Sequence, residues 1–413
     1  MSRIKLIVFL ILGASGVLGE VTENSSSWSG FRGDGKSVTT FESLPLKWDE
    51  STVKGWEFDL EGKGQSSPVV FGNQVYVTSI VGAAKEKLLI YALDLDHGTV
   101  NWKRETQATA TRQVTEYISY AAPTPVVDQE RVYAFYEEGD FLVWNHQGEL
   151  VWRVSLSDLF GYPEGNHGQG SSPVLTQFGV VALVDHKGDS FLICLNKKTG
   201  EVIWKTARES STAWSTPALM DWNDQQLIVV SASGSVLAYN AKDGNEIARY
   251  ADVLDGNNVP SPTVHGQSIA IAGRKRGSNL LIEAKSKEDQ LELVSKWEAR
   301  KATSTFGSPL IHDNRVYYVS DAGIVFVYNA QTGEPLFEER IESSTWASPL
   351  GAPGRIYFFG SNGATTVMAT SDQPQILSVN SLPTEEKDRV YGFAACSKGF
   401  VIRTDKKLRA IFN

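Results

Sequence analysis

Along most of the chain apolar positions alternate with polar ones in short runs, and a turn separates each run from the next. QVYVTS, RVYAFY, RVYYVS and RIYFFG are such runs, and each is followed by a second one: LLIYALD, DFLVWN, SFLICLN, SVLAYN and IVFVYN. After a tight turn comes a third: HGTVNW, QGELVW, TGEVIW, DGNEIA and TGEPLF. Period-two alternation with β-branched and aromatic residues predicts strands, and almost no helix is expected. A further short apolar run opens each group, always behind a Ser/Thr-Pro pair or a close variant. It reads SSPVV (66–70), PTPVV (123–127), SSPVL (171–175), STPAL (215–219), PSPTV (260–264), GSPLI (307–311) and ASPLG (347–351). The phrase recurs roughly every 45 residues, which is the period of a propeller or a solenoid rather than of separate domains.

Four short strands per period predict propeller blades. Seven Ser/Thr-Pro starts give seven blades. The last segment, GFAACSKGFVIRTDKKLRAIF (392–412), holds three more strands behind a degenerate start near Ala394. Its missing fourth strand is available at the other end of the chain, in GWEFDL (55–60). Pairing the two ends closes the ring and removes the exposed edges of an open array. The expectation is therefore an all-β, eight-bladed propeller over residues 55–413, preceded by a leader at 20–54. Seven blades with a separate C-terminal hairpin is the alternative.

Turn chemistry fits this frame. Gly98, Gly148, Gly200, Gly244 and Gly333 stand where a hairpin needs a positive φ, which glycine adopts without steric cost. Asp94, Asn145, Asn196, Asn240 and Asn329 precede them by three or four residues, placed to accept hydrogen bonds from the turn backbone. Trp102, Trp152, Trp204 and Phe337 follow the glycines by four residues and read as structural rings that pack blade on blade; Ala248 breaks the series in the fourth blade.

The N-terminus carries a different pattern. Arg3 and Lys5 precede the apolar run Leu6–Leu12, and small residues lead to Val17-Leu18-Gly19. This is the layout of a signal peptide, with cleavage expected after Gly19, and without a cysteine near that site no lipid anchor is expected. No later stretch approaches the roughly 18 apolar residues of a spanning helix. A periplasmic or secreted protein, monomeric and without a transmembrane segment, is expected. Lys and Arg number 39 against 48 Asp and Glu, a net charge of −9, so nucleic acid and anionic membrane surfaces are poor partners. With two cysteines, Cys194 and Cys396, both in apolar strand settings, a disulfide scaffold is excluded and buried free thiols are expected.

Candidate chemistry is sparse. GFRGDGKS (30–37) spells the phosphate-loop pattern G-x-x-x-x-G-K-S. That loop works between a buried strand and a helix. Here ENSSSWS precedes it and VTTFESLPLKW follows, with neither element, so a glycine-rich surface segment is the expected reading. His97, His146, His167, His186, His265 and His312 are scattered without metal-ligand spacing, DLDHG (94–98) matches a calcium loop over three residues only, and no GxSxG occurs. No catalytic residue and no metal ligand is nominated. One set comes from register. Three residues before the strand-start prolines stand Gln65, Ala122, Gly170, Trp214, Val259, Phe306 and Trp346, and the degenerate eighth start puts Tyr391 at the same place. Tyr120 and Gln169 lie close by in blades two and three. These side chains either seal the top of the core or form an aromatic crescent at the funnel mouth that grips a ligand or a peptide.

LNKKTGEVIW (195–204), its relatives and the Ser/Thr-Pro starts resemble the pyrroloquinoline-quinone-like (PQQ-like) β-propeller repeat proteins of bacteria. WSGFRGDGKS…LPLKW and FVIRTDKKLRAI resemble an exported subgroup of planctomycetes and verrucomicrobia, in which the glycine-rich loop is a leader to the propeller. The resemblance implies one of two functions. One branch holds quinoprotein dehydrogenases, which oxidise alcohols or sugars with the quinone and Ca²⁺ in the central funnel. The other resembles the propeller lipoprotein of the outer-membrane β-barrel assembly machinery, which carries no cofactor and docks partners. The adjacent-cysteine disulfide that often lids the quinone has no counterpart in Cys194 and Cys396, and no position matches the Asp base or the Glu and Asn calcium ligands. The expected function is thus an exported, non-catalytic binding or scaffold module for an envelope protein or peptide, with no cofactor. A quinone- and calcium-dependent dehydrogenase is the alternative, and a sugar-binding propeller a third reading.

Overall fold

Each period of the sequence closes into one antiparallel sheet of four strands, and eight such sheets form the propeller. The computed structural model describes residues 27–413 apart from 112–119, 166, 233, 255–257, 383, 386 and 387. The expected signal peptide and cleavage site lie outside these residues. Blade 1 is built from Val69–Phe71, Gln74–Val81, Lys87–Asp94 and Val100–Gln107, innermost strand first, and blades 2 to 7 repeat this order. Blade 8 takes Gly392–Cys396, Gly399–Arg403 and Lys407–Phe412 from the C-terminus and Glu57–Asp59 from the N-terminus, in the register Glu57↔Arg409 and Phe58↔Leu408. The eight-blade expectation therefore stands, with the ring closed by the N-terminal strand. Helix among the described residues is limited to Leu156–Phe160, capped by the Ser155 hydroxyl.

The core lies between blades. Tyr76, Ile90 and Trp102 of blade 1 pack on Val132, Leu142 and Trp144 of blade 2, and the pattern repeats around the ring. Because the inner strands are covered on both faces, runs such as FLICL at Phe191–Leu195 are buried throughout.

The Ser/Thr-Pro phrase has a physical meaning that its recurrence alone does not disclose. Before six of the seven prolines the hydroxyl accepts a hydrogen bond from the backbone N–H at the same position of the preceding blade. Ser67 N donates to Thr124 Oγ1 at 2.9 Å, Thr124 N to Ser172 Oγ at 2.9 Å, and Ser172 N to Thr216 Oγ1 at 3.0 Å. Thr216 N donates to Ser261 Oγ at 2.8 Å, Ser261 N to Ser308 Oγ at 3.0 Å, and Ser308 N to Ser348 Oγ at 3.0 Å. These hydroxyls are buried, so each link satisfies a donor that water cannot reach. The proline that follows has no N–H of its own to leave unpaired. Blade 8 lacks a hydroxyl here. Gly392 instead lets the chain press against Ser67, where a Cβ would stand 2.0 Å from Oγ. Buried Arg403 completes the closure by donating to Thr78 O at 2.6 Å and Ser66 Oγ at 3.1 Å in blade 1.

The outer rings interlock in a second way. The indole of one blade lies beneath the turn glycine of the next, and its Nε1 donates to a carbonyl there: Trp102 to His146 O at 2.8 Å, Trp152 to Lys197 O at 3.0 Å and Trp204 to Ala241 O at 3.1 Å. Trp56 and Trp297, which the spacing rule misses, do the same to Leu95 O and Ala330 O. The partner of each ring is thus the following blade's glycine, not its own. Ala248 and Phe337 precede blades 5 and 7, whose corresponding turns contain no glycine. An indole is present where a glycine turn must be covered and absent where there is none. Gly148 shows why glycine is required: its φ is +79°, and a Cβ would stand 2.6 Å from the Trp102 ring.

The expected surface loop GFRGDGKS is instead a plug. Trp28 pairs with Val70 of blade 1, Ser29 O accepts from Val127 N of blade 2, and Ser37 and Thr39 pair with Gly351 of blade 7. The leader thereby covers inner strand edges that would otherwise stay open. Arg32 is buried and crosses to blades 5 and 6, donating to Thr263 Oγ1 at 2.7 Å and Pro309 O at 2.8 Å. No helix follows Ser37, and Lys36 is paired with Asp34 at 2.8 Å, so the segment does not form the strand–loop–helix of a phosphate loop.

Gly148→Ala is expected to destabilise by roughly 2–4 kcal/mol, combining positive-φ strain with overpacking on Trp102. Gly354→Ala, at φ +72° with nothing within 4 Å of a Cβ, should cost only about 1–2 kcal/mol. Denaturant unfolding of both variants, and of Gly148→Ala combined with Trp102→Ala, checks this. Strictly additive losses in the pair would refute the interlock.

Candidate functional site

The innermost strands begin at one end of the central channel, and the residues three before each proline meet there. Gln65, Ala122, Gly170, Trp214, Val259, Phe306, Trp346 and Tyr391 all line a single pocket of about 120 Å³. Five of the seven residues expected at the funnel mouth are therefore brought together: Gln65, Trp214, Phe306, Trp346 and Tyr391. The belt hydroxyls form the next layer, and the floor is Phe31, delivered by the leader. Sequence reasoning missed Phe31.

The rings are held in place. Phe306 and Trp346 stack at 4.2 Å with 10° between planes, and Tyr391 meets Trp346 edge-on at 5.5 Å. Arg389 lies 5.1 Å over the Trp346 ring, and Tyr391 shares a side-chain hydrogen bond with Gln65. Across the pocket, Trp214 lies on Gly170, where a Cβ would fall 2.9 Å from its Cδ1, and its Nε1 donates to Gly168 O at 3.1 Å. These four rings are half-buried rather than buried, so they retain an exposed part at the mouth.

The other two expected residues stand elsewhere. Tyr120 offers its ring to Lys85 at 4.5 Å and Lys63 at 5.2 Å. Gln169 is buried behind Trp214, beside Asp185 and His186, with its backbone N–H on Glu137 O at 3.1 Å. Glu137 itself is buried, accepts from Ala121 N at 3.1 Å and lies 3.8 Å from Lys85. Burial pushes its carboxyl up to about 7, against the pull of Lys85. The expected blade-packing residues Trp102, Trp152 and Trp204 are buried between blades, and Phe337 packs against the core between blades 6 and 7.

The pocket walls carry no charged side chain among the described residues. Chemically they offer aromatic faces, hydroxyls and one carboxamide. Pyrroloquinoline quinone is a tricyclic tricarboxylate, and Ca²⁺ takes six to eight oxygen ligands including carboxylates. Neither cationic groups for the first nor carboxylates for the second line this pocket, so its residues do not fit that cofactor pair. The volume argues alike, because sites for cofactor-sized ligands run to about 300 Å³ and more. Elsewhere, no group of three or more His, Cys, Asp and Glu suited to a metal occurs among the described residues. Asp94 in DLDHG caps its own turn, accepting from Asp96 N and His97 N. Cys194 and Cys396 are buried and unpaired by any disulfide, as expected.

The repeat architecture and the comparisons agree. The family model described as outer membrane protein assembly factor BamB matches residues 38–158, 113–335 and 294–376. The chain belongs to this BamB family. Among solved structures, BamB from Moraxella catarrhalis superposes with a TM-score of 0.60 at 13% identity, over 87% of this chain and 100% of that one. A europium-containing methanol dehydrogenase gives 0.62 at 11% identity over 92% and 89% of the two chains. A quinohemoprotein alcohol dehydrogenase from Comamonas testosteroni gives 0.60 at 10% over 93% and 80%. At such identities the likeness is one of fold. A polyvinylalcohol dehydrogenase from Pseudomonas sp is 24% identical over 160 residues, 37% of this chain, and the match spans 24% of that enzyme's length. Members of the BamB family and quinone-type dehydrogenases thus share this fold. Among the described residues no helix is long and apolar enough to cross a membrane.

Buried Glu137 should make the stability of the fold pH-sensitive. An ordinary Glu carboxyl titrates near 4.5, and in the folded protein Glu137 does so near 7. Between these values the folded state holds a proton that the unfolded chain releases, so this group's contribution to stability falls as pH rises through that window. Calorimetry from pH 5 to 8 should show Tm declining, and Glu137→Gln should reduce the decline; an unchanged pH profile in the variant would refute the assignment.

Proposed function

We propose that this protein is a non-catalytic binding module of the cell envelope, in which the funnel-mouth pocket receives one uncharged apolar or aromatic side chain of a partner polypeptide. The observation that carries the reading is the neutral pocket of about 120 Å³ walled by Trp214, Phe306, Trp346, Tyr391 and Gln65 and floored by Phe31. At about 30 Å³ per water this is the space of four waters, the scale of one side chain. The mechanism is display. The belt and the leader hold the rings before a partner arrives, so little ordering accompanies binding. The Phe306–Trp346 stack of blades 6 and 7 and the braced Trp214 of blade 4 line the same mouth, and such fixed aromatic residues are the kind that anchor a buried side chain at an interface. Gln65 and the hydroxyl layer can meet the partner's backbone polar groups. Membership of the BamB family supports a partner-docking role and a place in the envelope.

The second reading, a quinone-dependent dehydrogenase, is favoured by the polyvinylalcohol dehydrogenase relative and by the two alcohol-oxidising neighbours in fold. The neutral lining and the small volume speak against it.

Calorimetric titration separates the two. N-acetyl-phenylalaninamide, an uncharged side-chain mimic, is expected to bind in the range of about 1 mM. The double variant Trp214→Ala, Trp346→Ala should lose that binding while its Tm stays within about 5 °C of the parent. Loss of the fold along with the binding would assign the rings to the core. Tight, Ca²⁺-dependent binding of pyrroloquinoline quinone near one to one would install the dehydrogenase reading instead.

A further inference from the structure

The plug has a second side. Beneath Phe31, away from the mouth, a cavity of about 200 Å³ separates the leader loop from the innermost strands of blades 2 to 5. Val126, Leu175, Pro217, Leu219 and Pro262 give it mainly apolar walls, and the glycine-rich loop from Ser29 to Gly35 borders it on the other side. The leader pairs with inner edges in blades 1, 2 and 7 and reaches blades 5 and 6 through Arg32, so the space is left where blades 3 and 4 face it.

One wall is Arg32, 4% exposed. Its guanidinium is bonded to neutral oxygens alone: Thr263 Oγ1, Pro309 O and, at 3.4 Å, Pro262 O. Its Nε has no hydrogen-bond partner. Asp34, the acidic neighbour on the loop, is engaged by Lys36 at 2.8 Å, and no other charged group lines the space among the described residues. Burial draws the guanidinium down to about 9, so it remains charged at neutral pH. Asp34 attracts the guanidinium through space but forms no ion pair with it, so the buried cation has no counter-charge in contact, and a bound anion would supply one. Arg403, the other deeply buried arginine, differs in access. The backbone of Gly64 presses so close to its Nη2 that a Cβ there would lie 2.0 Å away. Arg32 borders open space instead.

We propose that this lower cavity is a binding site for a carboxylate attached to a small branched apolar group, with Arg32 taking the carboxylate and the Val126–Leu175–Leu219 wall taking the apolar part. Such a group occurs in short branched-chain acids and at the end of a polypeptide that finishes in leucine or valine. The site meets the funnel mouth at Phe31, Thr216 and Ser261, which line both spaces, but its own walls are Arg32, Val126, Leu175 and Leu219.

Titration of the intact protein with 4-methylpentanoate, against 4-methylpentanamide as the uncharged isostere, tests the site. The acid should bind and raise Tm, and the amide should bind roughly tenfold more weakly or not at all. A tetrapeptide ending in leucine, with a free or an amidated terminus, distinguishes the sources. Tighter binding of the free-terminus peptide than of the acid identifies a chain end, and the reverse identifies a small acid. Arg32→Gln should weaken the carboxylate probes roughly tenfold. If that variant does not fold, Leu219→Trp, which keeps Arg32 and fills the cavity, should abolish binding. Equal binding of acid and amide, undiminished binding in either variant, or no binding of either carboxylate at about 10 mM would overturn the proposal.

Discussion

The hydroxyl belt is the constraint on which the rest of this structure depends. Each innermost strand stands at the crowded axis of the ring with one edge facing its neighbours, and its first N–H must find a partner where no water fits. A serine or threonine at the same position of the next blade supplies that partner six times in succession. The requirement fixes residue type, since only a short hydroxyl reaches the neighbouring backbone without filling the channel. It also fixes the blade-to-blade register, because a slip of one residue would turn every hydroxyl away. The pocket inherits this order: its walls stand two residues from the belt, so eight loops of unrelated sequence arrive at one height around one axis.

Repetition made the fold legible. The period, the alternation and the turn glycines are local signals that recur, and their agreement across seven repeats outweighs any single ambiguity. The eighth blade was legible from a deficit, three strands at one terminus and an unpaired strand at the other. The wall of the pocket was legible for the same reason, because register carries a residue such as Trp214 to a known height. Tyr120 and Gln169 sit outside it because being near the right position in the sequence is not being in register.

What repetition cannot reveal is a contact made once. Arg32 reaches partners 230 to 277 positions away, and nothing in GFRGDGKS announces them. The segment looked like a nucleotide loop to a pattern and like a surface loop to its flanks. Its glycines serve the tight path of a plug through the ring, and Phe31 and Arg32 give it two different faces. In the same way Trp56 and Trp297 fell outside the four-residue spacing, although they follow a physical rule the spacing only approximates: an indole stands wherever the next blade turns on a glycine.

A module that works by display must be rigid at the place where display is set. Amide hydrogen exchange of Ser67, Thr124, Ser172, Thr216, Ser261 and Ser308 measures that rigidity where the belt forms. These six N–H groups should exchange only through global unfolding, with one shared free energy equal to that of the whole domain. Independent, fast exchange, as in loops that open locally, would mean that the belt does not hold the ring and that the funnel mouth is not preorganised.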